Sequence, residues 1–459
     1  MANSGWRCKE LIRGAVICVI TAGCFFATFI AVALLVPQDQ QRIRRHIMLA
    51  IEQGAFSTQR WYGPFGTIIW PRHTLDCVLA GMMLAPSGGR MIDALSNRYI
   101  LPNLSWRDTR VAETLDCQSM VRAIPELGDG YGAVQFERTD RYILGVRVLG
   151  KILLGLMPFD AMVQLIRAIA FALLAVLGLL SFARLRNARR GGEPVFRATA
   201  YLIITACLTL LYGVHYFDAT LYFAPLDYTH FAFIIISLLV PLARMPTAAL
   251  TVYAASYGSL IAIFESLSGG IPFALAMMPL LLALGFTGER WEYFRRLFVL
   301  WGGFCIAVVT CFALKKGVAV LFLGDEESFL SLLFYRMQGA PLEESATKLT
   351  LGYLLSVYRR WASLIAFGSS NLGTALVLAA LGVLAAESWR SRRAGAPPIL
   401  LACWLGIAAL LIWAAAFLNH TAVHPYFMAR LLVIPVIGAL VLIAARWLAP
   451  RHAARECSP

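Results

Sequence analysis

The sequence predicts an all-α polytopic membrane protein with about ten transmembrane helices and two long external loops. Three observations predict it. The first is composition: 59% of the 459 residues are hydrophobic, only 14% are charged, and the mean hydropathy is +0.70. A water-soluble chain of this length has no way to hide that much apolar surface. The second is a series of apolar runs that reach the roughly 20 residues needed to cross a bilayer. The third is the placement of the basic residues behind the net charge of +14, which fall in short stretches between the apolar runs. That clustering is the topology signal of a membrane protein, and it argues against nucleic acid as a partner.

The first span runs from about 11 to 36, after Arg7 and Lys9. It is too long for a signal-peptide core and has no convincing cleavage site, so it reads as a retained helix. A mixed, Gly- and Pro-containing segment follows at 37–158, the first external loop. Further spans are expected near 161–183, 197–214, 229–245, 248–264, 271–288, 297–314, 372–387, 398–417 and 427–448. The chain thus divides into 1–36 (N-terminus and first span), 37–158 (first loop) and 159–314 (spans two to seven). The remainder is 315–371 (second external loop) and 372–459 (spans eight to ten and a tail).

The short loops "RLRNARRGGEPVFR" (184–197), "GERWEYFRR" (288–296) and "SWRSRRAG" (388–395) are basic, as are Arg244 and the tail after Arg446. The loops at 215–228, 265–270 and 418–426 contain no Lys or Arg. The positive-inside rule therefore places both termini in the cytoplasm and both long loops outside.

The tetrapeptide Thr-Leu-Asp-Cys occurs twice in the first loop, in "HTLDCVLAG" from His73 and "ETLDCQSM" from Glu113. In an oxidising external compartment Cys77 and Cys117 are candidates for a disulfide. Closing a loop of about 40 residues contributes roughly 3–4 kcal/mol on the chain-entropy estimate. The alternative is a pair of buried, reduced thiols. A bridge would hold Asp76 and Asp116 in one compact element.

The chain shows no convincing internal repeat, and its spans carry few ionisable groups apart from Glu265 and the charges at span edges. The unusual polar residues gather at the expected external helix ends, which favours an enzyme at the water–lipid boundary. Four clusters stand out. Asp76 and its twin Asp116, with Glu113, form the first. The second is "FERTDRYILGVRVLGKILLGL" (136–156), where Arg141, Arg147 and Lys151 are spaced to lie along a helix resting on the membrane surface, or simply anchoring there. In the third, "YGSLIAIFESLSGGIP" (257–272), Glu265 ends an apolar span, either as a functional carboxylate or as plain helix termination.

The fourth cluster is "FLNHTAVHPYFMARLLVIP" (417–435). His420 and His424 share a face if the stretch is helical, and Arg430 follows. The pair lacks the glutamate that zinc proteases place beside the first histidine, and Pro425 interrupts a helix. Metal binding, helix-end polarity and phosphate binding all remain open there. Lys315 and Lys316 at a span exit, with Arg359 and Arg360 in "SVYRRW", add outward positive charge suited to an anionic substrate.

Together these pieces resemble the GT-C superfamily of membrane glycosyltransferases, which use polyprenyl-phosphate-linked sugars. The finer resemblance is to bacterial multispan proteins that include candidate arabinofuranosyltransferases of pilin and cell-wall type. "LDCVLAGMML" (75–84), "DRYILGVRVLGKILLGL" (140–156), "FESLSG" (264–269) and "NHTAVHPYFMAR" (419–430) look similar to that group's motifs, in matching order over most of the chain. Two departures stand out: Ile143 and Leu144 occupy the places of a Trp-His pair, and Glu265 stands where aspartate is more usual.

The resemblance implies a GT-C-like fold and a sugar donor on a polyprenyl phosphate in the outer leaflet of a bacterial inner membrane. The acceptor would be a glycan or a protein such as a pilin. Asp76 would be the base, with Glu265 orienting the sugar or acceptor. Arg141 with Tyr142, Lys151, His420, His424 and Arg430 would bind the donor phosphate, with Lys315 and Lys316 behind them. A divalent metal is compatible with this set but not required, since cations are plentiful. Two rivals are a transporter or flippase for a lipid-linked anionic glycan, and an enzyme like the O-antigen ligases, whose dominant external loop comes late in the chain rather than first.

Overall fold

The computed structural model describes residues 3–36, 39–55, 61–62, 68–69, 74–84, 97–101, 135–139, 143, 145–190, 195–212, 221–265, 269–323, 351–366, 369–392, 397–417 and 429–448. It is a helical membrane protein. Seven helices are long and apolar enough to cross a bilayer: α1 (Asn3–Leu35), α5 (Phe159–Ala188), α8 (Thr247–Phe264), α10 (Arg290–Leu323), α12 (Ser370–Arg390), α13 (Pro398–Ala416) and α14 (Val433–Leu448, entered through the 3-10 turn Arg430–Leu432). Three shorter apolar helices, α6 (Val195–Leu210), α7 (Ala224–Leu239) and α9 (Gly270–Ala283), lie where three further spans are expected, and α11 (Leu351–Ile365) falls within the expected second loop. At 1.5 Å per residue each falls short of a hydrocarbon core about 30 Å thick. Exposed Leu11, Ile20, Leu179, Phe298, Leu378 and Ile412 give the long helices the apolar exterior that lipid contact requires.

Helix α8 occupies the centre, packed on α1, α7 and α10. Small residues let the axes approach. A Cβ at Gly258 would strike the Phe304 carbonyl of α10, and one at Gly406 of α13 would lie 2.7 Å from the Ala276 carbonyl of α9. Pro279 inside α9 has no N–H to offer the Leu275 carbonyl one turn back. The Trp301 indole of α10 supplies that donor at 2.9 Å. In a lipid environment an orphaned carbonyl has no water to turn to, so this bond replaces the donor that Pro279 lacks.

One end of the bundle is basic. Arg184 and Arg197 donate to the last carbonyls of α7, at Leu239 (2.8 Å), Ser237 (3.2 Å) and Leu238 (3.3 Å). Arg296 donates to the Met245 carbonyl at 2.9 Å. These guanidiniums satisfy carbonyls that a helix end leaves open and complement its dipole.

Between α1 and α5 the chain forms α2 (Gln40–Glu52), α3 (Thr74–Leu84), α4 (Gly145–Leu156) and two antiparallel strand pairs. Strand β1 (Trp61–Tyr62) pairs with β2 (Ile68–Ile69), and β3 (Asn97–Leu101) with β4 (Gln135–Thr139) in the register Asn97↔Thr139 to Leu101↔Gln135. Strands are absent from the all-α expectation, and residues 136–139 of the stretch at 136–156 belong to β4. The helix begins only at Gly145. Ile43 and Ile47 of α2, Leu79 and Met83 of α3, and Val146 and Leu154 of α4 form a second apolar core with Phe159 and Ile166 of α5. Asp39 caps α2 by accepting from the Arg42 amide at 3.0 Å, and His46 of α2 bonds the Leu154 carbonyl of α4 at 2.7 Å.

Candidate functional site

Helix directions put the remaining buried charges at the end opposite the basic one. Helix α8 starts after Arg244 and ends at Glu265, α7 starts near Asp227 and ends at the carbonyls held by Arg197, and α14 begins at Arg430 and ends near Arg446. Helix α10 starts with Arg290 and carries Lys315 towards its far end. Glu265, Asp227, Arg430 and Lys315 are all buried.

Arg430 and Asp227 form an ion pair. The Arg430 guanidinium also lies 4.2 Å from the ring centre of Tyr212 and 5.1 Å from that of Phe223, distances at which the rings favour a cation. The Tyr212 hydroxyl hydrogen-bonds Asp227 in turn. Arg430 is therefore packed against two rings and paired with a carboxylate, with little rotamer freedom left.

Glu265 is the C-cap of α8, where its backbone N–H reaches the Ile261 carbonyl at 2.7 Å. The chain then turns through Gly269 at φ +98°, a left-handed conformation that favours glycine. This turn brings the first amides of α9 back to the carboxylate, and Glu265 Oε2 accepts from Ile271 N–H at 3.1 Å. A Cβ at Gly270 would lie 2.5 Å from that same oxygen. A carboxylate at a helix N-terminus is electrostatically favourable. Its charge also acts on Arg430 and Tyr212, so the two acidic groups share one neighbourhood.

His230, one turn beyond Asp227, is fully buried and shares a 2.6 Å hydrogen bond with the Tyr257 hydroxyl through Nδ1. Its ring lies 4.5 Å from that of Phe273, and Nε2 has no hydrogen-bond partner among the described residues. The sequence reading missed Asp227, His230, Tyr212 and Tyr257. The usable signal was the spacing Asp227-x-x-His230 at a span start, which puts two ionisable groups on one helix face.

Of the other residues expected at a site, Lys151 is on α4 and is 1% exposed, as is Arg147. Both side chains are enclosed by protein: α4 is packed among α2, α3, α5 and α8, with a Cβ at Gly145 placed 2.6 Å from Ile263 and one at Gly150 placed 2.6 Å from Met83. Arg147 Nε donates to the Met82 carbonyl at 3.0 Å. Arg147 and Lys151 are thus enclosed by protein rather than displayed along an outer face, because the helix's glycines and apolar residues dock it against its neighbours. Lys315 and Lys316 lie within α10, which continues past them to Leu323, so the helix extends beyond the span expected at 297–314.

Asp76 and Cys77 lie on α3, which packs on α4 and through it reaches the Glu265 end of α8. Arg141, Tyr142, Cys117, Asp116, His420 and His424 lie outside the described residues. Among the described residues no group of three or more His, Cys, Asp or Glu is placed to hold a metal ion. No protein-family model, no curated protein and no solved structure matches the chain.

Proposed function

We propose that the protein is a GT-C-type glycosyltransferase that moves a sugar from a polyprenyl-phosphate donor to a glycan or protein acceptor at the outer face of a bacterial inner membrane. On this reading there are ten spans, both termini are cytoplasmic and the charged end faces outward. One observation carries the proposal. Helix α3, bearing Asp76, is docked through α4 onto the bundle end that holds Glu265 and the Asp227–Arg430 pair.

The reaction needs those components. An acceptor hydroxyl attacks the anomeric carbon, the carbon–oxygen bond to the lipid phosphate breaks, and the phosphate departs with the bonding electrons. The configuration inverts, and Asp76 takes the hydroxyl proton. Charge grows on the departing phosphate, where a preorganised cation stabilises the transition state most. Arg430, fixed by Asp227 and Tyr212, is such a cation, and Lys151, Lys315, Lys316, Arg141 with Tyr142, His420 and His424 complete the proposed phosphate-binding set. Glu265 orients the sugar or the acceptor. The mechanism needs no metal.

A transporter or flippase of a lipid-linked anionic glycan is the second reading. It gains support from Asp227 and His230, ionisable groups buried within a helix of the bundle, as in many transport pathways. Detergent-solubilised protein separates the two, because a carrier has nothing to carry across once the membrane is gone. Purified protein should transfer radiolabel from polyprenyl-phosphate arabinofuranose to an envelope acceptor, and Asp76→Asn should abolish it. Transfer retained by Asp76→Asn would remove the assigned base.

A further inference from the structure

A groove of about 730 Å³ runs between α12 and α14 at the basic end of the bundle, away from Glu265 and the Asp227–Arg430 pair. Its walls are aliphatic and small: Ala379, Gly382 and Val383 on α12 and Ile443 on α14. A Cβ at Gly382 would meet nothing within 4 Å, so the groove is open space rather than packed interior. Both helices expose large apolar side chains outward, including Leu378 and Leu440, which places the groove on the lipid-facing surface.

The mouth is different. Glu387 accepts from Arg390 at 2.6 Å and from Arg446 at 2.7 Å, and both arginines remain more than half exposed. Two arginines against one glutamate leave one net positive charge. Trp447 stands beside them, 72% exposed, and Arg392 stacks on Trp389 at 4.3 Å from the ring centre. Tryptophan and arginine at the end of a membrane helix mark the head-group layer.

We propose that this groove binds an anionic phospholipid, with an acyl chain against Gly382 and Ile443 and the phosphate between Arg390 and Arg446. The glutamate's role follows from its two bonds. It holds both guanidiniums at the mouth in a fixed spacing, so that their outward N–H groups meet phosphate oxygens without further ordering. Basic pockets between membrane helices recognise anionic head groups in this way, and the volume lies within the range of small-ligand sites. The aliphatic floor selects a lipid over a free phosphate.

Native mass spectrometry of the purified full-length protein tests this, with equal mixtures of phosphatidylglycerol and phosphatidylcholine of the same chain length. Wild type should retain phosphatidylglycerol about fivefold over phosphatidylcholine, the order expected for one charge near a membrane surface. Arg390→Gln with Arg446→Gln should bring the two to parity. Gly382→Leu, which fills open space and leaves the arginines alone, should lower retention of both lipids while the protein elutes and melts like wild type. Parity in wild type, or undiminished retention in Gly382→Leu, overturns the proposal. Inorganic phosphate that competes as well as the lipid would also overturn it, since the floor would then contribute nothing.

Discussion

Arg430 and Asp227 are 203 residues apart in sequence, yet they form a buried ion pair where the starts of α7 and α14 meet. The pair ties the last span to the middle of the chain. It also sets a direction: Tyr212 stacks on the guanidinium and hydrogen-bonds its carboxylate partner, so three separate segments converge on one cation.

Breaking that pair from one side leaves an uncompensated charge in a water-poor interior, at a cost of about 3–5 kcal/mol. Asp227→Ala and Arg430→Ala should therefore each lower the melting midpoint and yield of detergent-purified protein substantially. The double variant Asp227→Leu with Arg430→Met should recover much of the loss, because neither charge remains. Additive losses in the double variant would show that the two residues are not coupled.

The sequence made the spans legible because their ends carry strong local signals. Pro246 before α8, Gly269 before α9 and the Arg-rich stretches after α5 and α12 each interrupt an apolar run sharply. Strand β4 was not legible, because its partner Asn97–Leu101 lies far back in the chain and no periodicity links the two. The extension of α10 past Lys315 and Lys316 was not legible, because adjacent charges resemble a boundary, whereas lysine is itself a good helix former. Glu265 was found from its cost at an apolar helix end. Asp227 went unseen because the segment at 215–228 had been read only for its lack of basic residues.

Glu265 has two separable roles to test. As a cap it needs only an oxygen for the Ile271 amide, so Glu265→Gln should melt close to wild type. Glu265→Ala removes the acceptor and should cost about 0.5–2 kcal/mol, the range for a lost helix cap. If the charge also orients substrate, Glu265→Gln should reduce sugar transfer by about tenfold or more despite its intact fold, since charge-assisted bonds exceed neutral ones. Full transfer by Glu265→Gln would leave capping as the residue's whole contribution.

The two Asp-Cys pairs of the first loop yield a covalent prediction. Non-reducing peptide mapping of protein purified without reductant should recover a Cys77–Cys117 cross-linked peptide pair. Cys77 is placed on α3, inside the helical cluster, so the bridge would tie that helix to the segment around Asp116. Free thiols at both positions would refute it, and modification of either by a cytoplasm-confined reagent would overturn the outward placement of the loop.

Arg147 is expected to control where α3 sits. Its Nε bonds the Met82 carbonyl in the last turn of α3, where carbonyls lack helical partners and a positive charge complements the dipole. The side chain is 1% exposed, so no water is at hand to replace it. Arg147→Met keeps the length and the apolar stem but leaves that carbonyl without this donor, at a cost of about 1–3 kcal/mol for an unsatisfied buried group. The loss should be local. Hydrogen exchange should speed up across 79–84 while α8 and α10 keep wild-type protection. On the proposed mechanism Asp76 shares α3, so kcat for transfer should fall more than KM rises, since the base rather than the donor site is displaced. Unchanged exchange at 79–84 would mean that apolar packing of Leu79 and Met83 alone fixes the helix, and Arg147 would then be dispensable to the site.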